Sequence, residues 1–260
     1  MQSSAASAAQ TLEEKIKSRT ARVGIIGLGY VGLPLAVEFA RAGFPVTGID
    51  IEPSKVAQLN RGESYVQDVA PGVLGPLVGA KKFHATADFS VISEMDTINI
   101  AVPTPLRKTK DPDMSYIVSA CQAIAQYFGP GKLVILESTT YPGTTDELVL
   151  PMLERPGLKV GEQFFLCFSP ERVDPGNAQF QTANIPKVVG GITPACTKLG
   201  TLFYSQALET VVPVSSTRVA EMVKLLENTF RMINIGLERN GADVRPHGDQ
   251  CVGGDRCRGH

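Results

Sequence analysis

The chain has 260 residues, 43% of them hydrophobic and 20% charged, with a formal net charge of −1. That length can bury a sizeable core in one large or two small domains, the balanced charge argues against a nucleic-acid partner, and no apolar run is long enough to span a bilayer. Five cysteines, Cys121, Cys167, Cys196, Cys251 and Cys257, follow no disulfide-framework spacing, so a reduced, cytoplasmic chain is expected.

Residues 1–20 are small and polar, carry Glu13, Glu14, Lys15 and Lys17, and lack the apolar core of a secretory signal; a frayed tail or short surface helix is expected. An apolar strand pattern at 23–26 then meets Gly27-x-Gly29-x-x-Gly32, an apolar helical pattern follows, and a second β-rich run at 46–49 ends on Asp50. A lone GxGxxG is often no more than a glycine-rich turn. Here strand, glycines, helix, second strand and terminal acid agree on a dinucleotide-binding βαβ unit. Gly27 lets the strand turn sharply, Gly29 lets the backbone approach a pyrophosphate, and Gly32 lets the helix pack on the strand, while N–H groups at the helix start face the phosphates. Asp50 stands where such a unit places the carboxylate that bonds the ribose 2′-OH. A short helix over 52–60 follows, with Pro53 in its first turn and Gly62 closing it. Lys55 on that helix is within reach of the same ribose or phosphate, and a solvated surface lysine fits its spacing as well.

A helix near 69–78 and a strand near 83–85 come next, then an apolar strand over 95–102 that runs into a Pro-rich loop. Ligands of an open parallel sheet lie beyond the carboxyl ends of its strands, so Val102 and Thr104 are candidate cofactor neighbours. Helical spacing over 114–128 stops at Gly129-Pro130-Gly131. A buried-strand run at 133–136 delivers Glu137-Ser138-Thr139-Thr140-Tyr141-Pro142-Gly143-Thr144-Thr145, whose hydroxyls are expected to cap the next helix, through Leu148. The β-rich run from Phe164 ends in Ser169-Pro170-Glu171-Arg172, with Cys167 read as core filler. A strand at 187–191, a helix at 194–204 and a strand at 210–214 complete an α/β alternation with a mainly parallel sheet. The longest helical pattern, 216–237, has an apolar stripe of Val219, Met222, Val223, Leu226, Phe230, Ile233 and Leu237. Glu221, Lys224, Asn228 and Arg231 make a polar stripe, which by spacing alone is a wet face.

Five motifs in this order resemble the nucleotide-sugar 6-dehydrogenase family, which acts on UDP-glucose, UDP-N-acetylglucosamine, UDP-N-acetylmannosamine or GDP-mannose. They are Val-Gly-Ile-Ile-Gly-Leu-Gly-Tyr-Val-Gly-Leu-Pro (23–34), Ala-Val-Pro-Thr-Pro (101–105), Glu-Ser-Thr-Thr-Tyr-Pro-Gly-Thr-Thr (137–145), Phe-Ser-Pro-Glu-Arg (168–172) and Glu-Met-Val-Lys-Leu-Leu-Glu-Asn-Thr (221–229). The resemblance implies a Rossmann-like doubly wound parallel sheet (21–214), followed from 215 to 237 by the start of a central dimerisation helix. It also implies oxidation of a sugar C6 alcohol to a carboxylate by two hydride transfers to NAD. It places Tyr30 and Val31 on the pyrophosphate, Asp50 and Lys55 on the adenosine ribose, and Val102 and Thr140 near the nicotinamide half. Thr140 would hold a catalytic water and Glu171 would act as acid/base. Lys224 and Asn228, one helical turn apart, would bind substrate and stabilise oxyanion character at C6, a role suited to a cation and an amide donor. The implied partners are a UDP-sugar and, for the parent enzyme, a second copy through the long helix, with neither nucleic acid nor membrane.

Two departures qualify the resemblance. The UDP-glucose branch has a second glutamate where this chain has Pro175, and that variant resembles the branch acting on UDP-N-acetylhexosamines, which favours UDP-N-acetylglucosamine. UDP-glucose, UDP-N-acetylmannosamine and a non-catalytic NAD-binding fragment stand as alternatives. The family's nucleophilic cysteine, in a G-G-x-C-like segment beyond the long helix, and its second domain have no counterpart here. Cys251 has its glycines on the wrong side, and His247, Cys251, Cys257 and His260 make no zinc-site order, so no metal is expected. Residues 238–260 are polar and rich in Gly and Arg, with Pro246 where a helix should continue. Reading the neighbouring frame of a back-translation permits an amphipathic, cysteine-bearing continuation. A single-base frameshift just after Leu237 is therefore expected, with a poorly packed tail at 238–260 and a chain inactive by itself.

Overall fold

The computed structural model describes residues 7–70, 72–108, 111–171 and 185–243, the last six as backbone path alone. Eight strands share one sheet: β1 (Val23–Ile26), β2 (Val46–Ile49), β3 (Phe83–Thr86), β4 (Thr97–Ile100), β5 (Leu133–Leu136), β6 (Phe165–Phe168), β7 (Lys187–Gly191) and β8 (Val211–Val214), in the order β3-β2-β1-β4-β5-β6-β7-β8. All neighbours pair in parallel except β6 with β7. The doubly wound α/β reading holds. β1, β4, β5 and β6 are buried along their whole length, as strands covered on both faces must be; the runs in β1, β5 and β6 are apolar, while β4 alternates Ile98 and Ile100 with buried Thr97 and Asn99.

Alternation along the strands divides the interior into two cores. On one face Val23, Ile25, Leu133, Ile135, Phe165 and Cys167 meet helices α1 (Ala8–Lys17), α2 (Gly32–Arg41) and α7 (Pro194–Tyr204). The other face sets Ile26, Ile98, Ile100, Val134, Leu136 and Phe168 against α5 (Ser115–Tyr127) and α6 (Leu150–Leu153). Phe39 and Phe203 stack at 4.1 Å between centroids with Phe44 and Tyr204 around them, tying α2 to α7; a fully buried phenylalanine contributes about 1.5–3 kcal/mol. Register keeps the strands flush: Ile26 stands beside Ile49 and Ile100, and Ile100 beside Leu136, so the carboxyl ends of β1, β2, β4 and β5 form one rim.

Several local expectations change. Of the two alternatives for the N-terminal stretch, the short helix holds over Ala8–Lys17, and it is docked on the sheet and not merely on the surface: Ser7 and Gln10 form a reciprocal capping box, Leu12 and Ile16 are buried, and Lys15 pairs with Asp96 at 2.7 Å. The helix placed at 69–78 is only α4 (Leu74–Gly79), because Gly72 sits at φ +85, outside helical space. A 3₁₀ turn (Phe89–Glu94) precedes β4, and after α3 (Pro53–Asn60) and β5 the chain passes a π turn (Thr145–Val149) into α6. Pro151 lacks the N–H that an unbroken α-helix would need there, which accounts for the widened turn.

The chain divides into two compact units, one through Lys224 and one from Leu225 on. Helix α8 (Thr217–Asp243) begins in the first and supplies most of the second, its backbone running past Leu237. In the first unit its buried side is Thr217, Ala220 and Glu221, while Val219 and Met222 are exposed; in the second Leu226, Phe230, Ile233 and Leu237 are exposed. The polar stripe is thus not uniformly wet, since Glu221 is fully buried. Residues 244–260 and the Arg-Val-Asp-Pro-Gly-Asn stretch lie outside the described residues.

Candidate functional site

The rim of the sheet opens over β1. Gly27 turns the strand at φ +90, and a Cβ there would stand 2.5 Å from the Ala101 carbonyl oxygen; at Gly32 it would stand 1.8 Å from the Gly27 oxygen. Those two glycines are demanded by close backbone approach. Gly29 differs: a Cβ there meets nothing within 4 Å and would project into a cleft of about 1230 Å³. That cleft is lined by Gly27, Gly29, Tyr30, Val31, Asp50, Lys55 and Val102, together with Ser115, Tyr116 and Ser119 of α5.

Asp50 closes β2, and its carboxylate is fixed from two sides: Oδ2 accepts the Leu28 N–H and Oδ1 the Glu52 N–H, each at 3.0 Å. Lys55 lies on the cleft wall, paired with Glu52 at 2.7 Å, and its ammonium is 5.8 Å from the Tyr65 ring centroid. The hydrogen bond to Glu52 raises the Lys55 pKa, with burial working against it and Asp50 adding to it. Tyr65, which pattern reading passed over, donates to the Leu28 carbonyl at 2.7 Å and steadies the glycine loop; burial first, then Asp50 and Glu52, push its phenol above the ordinary range. An open backbone position, an anchored carboxylate and a long cleft along the rim fit an extended dinucleotide such as NAD.

Loops after β4 and β5 continue the rim. Ser138 donates to the Val102 carbonyl at 2.7 Å and Thr104 to the Thr139 carbonyl at 2.9 Å. Thr104 therefore ties two loops together and is not among the cleft-lining residues. Thr140 is 4% exposed and its Oγ1 has no partner among the described residues. Such a buried hydroxyl costs about 1–3 kcal/mol unless it is satisfied, and it is free to hold a water or ligand oxygen. The expected hydroxyl cap on the following helix is absent: Thr144 donates to the Tyr141 carbonyl, and the turn is capped by Glu221 of α8. The Glu221 carboxylate accepts the Gly143 N–H at 2.6 Å, the Thr145 N–H at 2.9 Å and the Thr145 hydroxyl at 2.7 Å. Burial raises its pKa against those bonds.

Beyond β6, Glu171 is 13% exposed and its Oε2 lies 3.5 Å from the Lys187 ammonium. Lys224 donates to the Glu171 main-chain carbonyl, so the first unit brings these two candidates together. Asn228 is exposed on α8 in the second unit. Lys187 also pairs with Glu137 at 2.8 Å. Among the described residues no group of three or more His, Cys, Asp or Glu could hold a metal, and no helix is long and apolar enough to cross a membrane. His247, Cys251, Cys257 and His260 lie outside the described residues.

Residues 21–208 match the family model for the NAD binding domain of the UDP-glucose/GDP-mannose dehydrogenase family. The chain is 37% identical over 218 residues to a UDP-N-acetyl-D-glucosamine 6-dehydrogenase of Pseudomonas aeruginosa, covering 83% of this chain and 51% of that protein. It is 39% identical over 222 residues to a UDP-N-acetyl-D-mannosamine dehydrogenase of Escherichia coli K12, covering 83% and 52%. Among solved structures, an NDP-N-acetyl-D-galactosaminuronic acid dehydrogenase from Methanosarcina mazei superposes with a TM-score of 0.78 at 39% identity, over 87% of this chain and 50% of that one. The chain spans about half the length of the curated relatives it matches.

Proposed function

Because the chain belongs to the UDP-glucose/GDP-mannose dehydrogenase family, whose NAD-binding domain it carries, we propose that it serves NAD-dependent oxidation of the C6 alcohol of a UDP-N-acetylhexosamine, with UDP-N-acetylglucosamine as the preferred sugar. NAD, when bound, supplies the hydride acceptor. Gly27, Gly29, Tyr30, Val31 and Gly32 shape the loop that takes the pyrophosphate, and Asp50, with Lys55 beside it, takes the adenosine ribose. Val102 and Thr140 flank the nicotinamide half, and the unpartnered Thr140 hydroxyl holds a water. Glu171 removes or returns a proton at the C6 oxygen, and Lys224 and Asn228 donate to that oxygen as it gains negative charge.

The observation that carries this reading is the meeting of Glu171 with Lys224 beyond β6, on a chain whose β1–β2 half opens the Gly29–Asp50 cleft. Similar identity to the UDP-N-acetyl-D-mannosamine dehydrogenase supports UDP-N-acetylmannosamine as a second reading of the sugar. We further propose that α8 is a dimerisation helix, with Leu226, Phe230, Ile233 and Leu237 covered by a second copy; apolar side chains set this densely on one exposed helix are what an interface requires. Titration calorimetry tests the substrate assignment. In the presence of NAD the chain is expected to bind UDP-N-acetylglucosamine more tightly than UDP-glucose, and the reverse order, or no binding of either, defeats it.

A further inference from the structure

A connected set of buried polar side chains lies behind Glu171. Glu137 is fully buried at the end of β5, and both its carboxylate oxygens are engaged: Oε1 by the Tyr204 hydroxyl at 2.6 Å and the Asn99 amide at 2.6 Å, Oε2 by the Lys187 ammonium at 2.8 Å. Lys187, 5% exposed, reaches on from Glu137 to Glu171 Oε2 at 3.5 Å and lies 5.4 Å from the centroid of the Tyr204 ring. An ion pair in a core is weak evidence for stability, because desolvating two charges costs about as much as their attraction returns. The single antiparallel pairing in the sheet accounts for its position. Cys167 stands opposite Gly191 and Phe168 opposite Gly190, so β7 begins level with the segment just beyond β6, where Glu171 lies. In a parallel strand the first residue would stand at the far edge.

We propose that Lys187 is a positioning residue for Glu171: one buried ammonium, shared between Glu137 and Glu171, fixes the orientation of the Glu171 carboxylate and holds it ionised. Glu137, saturated with donors, anchors the lysine and takes up part of its charge. The inference rests on the acid/base reading of Glu171, and it extends that reading to groups that touch no substrate. Burial works to lower the Lys187 pKa, but the two carboxylates more than offset it and keep it above the ordinary lysine value. Also facing this set are Tyr204, whose phenol stays neutral because burial pushes its pKa well up, with Ser169 and Cys167 beside it, and Lys224 on the Glu171 main-chain oxygen.

The arrangement gives shifts of opposite sign. Glu137→Gln frees the lysine charge for Glu171 and lowers its titration midpoint. Lys187→Met alone would strand a buried carboxylate, so it is combined with Glu137→Gln; in that neutral pair Glu171 loses the Lys187 charge and its midpoint rises by about 1–3 units. The measurement is carbon-13 NMR of the 260-residue chain labelled at glutamate carboxyls, with the Glu171 signal identified by its loss in Glu171→Gln and folding checked by circular dichroism. Midpoints that stay within about 0.3 unit of the unmutated chain in both variants overturn the proposal. If the double variant does not fold, the downward shift in Glu137→Gln decides alone. A titration that moves as expected, together with a Glu171→Gln chain that forms NADH from UDP-sugar and NAD in a single turnover as fast as the unmutated chain, keeps the coupling and removes the acid/base reading instead.

Discussion

Replacing Gly29 and Gly32 separately by alanine separates cofactor binding from packing. At Gly32 the new methyl would stand 1.8 Å from the Gly27 carbonyl oxygen and 3.2 Å from Ile25 Cγ2, and the nearer atom is backbone in the sharpest turn of the loop. The helix must move off β1, at a cost of at least about 1–3 kcal/mol for overpacking. At roughly 2–4 °C per kcal/mol for a domain of this size, Tm falls by about 2 °C or more. At Gly29 the methyl meets nothing within 4 Å and the backbone is not left-handed, so stability stays within about 0.5 kcal/mol or rises slightly as the unfolded chain loses freedom. The same methyl would occupy the cleft where the pyrophosphate must approach, and NAD affinity falls at least about tenfold, or 1.4 kcal/mol. Thermal unfolding of the free chain, with calorimetric titration of NAD, reads both quantities. A Gly29→Ala chain that binds NAD normally would place the pyrophosphate elsewhere, and a Gly32→Ala chain as stable as its parent would refute the packing argument.

The carboxylate of Asp50, fixed by two backbone N–H groups, repels a 2′-phosphate, so NAD should bind more tightly than NADP. Tighter NADP binding in parallel titrations would remove Asp50 from the ribose. Incubated alone with UDP-N-acetylglucosamine and NAD, the 260-residue chain is expected to form no uronate, because its described cysteines are sealed in the core: burial pushes the Cys121 thiol up to about 12 and that of Cys167 well above its usual value. Mass spectrometry of the products checks this, and Cys251→Ser should change nothing. Glu13 is held down to about 2 by hydrogen bonds from Lys17 and then Lys198, and the Lys198 pair joins α1 to α7. A depressed carboxyl contributes stability above its ordinary 4.5 and loses it as pH falls toward 2, so hydrogen-exchange protection of α1 should fade across that window. Protection of α1 that is unchanged down to pH 2 would show that Leu12 and Ile16 hold the helix by themselves.

What was legible in the sequence follows from where each residue's partner lies. Gly27, Gly32 and Asp50 answer to backbone within one βαβ unit or the strand beside it, so spacing alone carries their meaning. The strand runs at 23–26 and 133–136 were equally plain, because a strand buried on both faces reads as a near-continuous apolar run. Lys187 and Glu137 are 50 positions apart and meet only because β7 reverses direction, a choice that no local pattern announces. Glu221 shows the same limit on a helix. Its spacing assigns it to a solvated stripe with Lys224, yet it caps the turn at Gly143 and Thr145 from more than seventy positions away. A helical period separates two faces but does not say which neighbour each face meets. An acid on the polar stripe is therefore as well placed to satisfy another element's orphan N–H groups as to face water. At this rim it does the former, and the Thr140 loop is anchored through it.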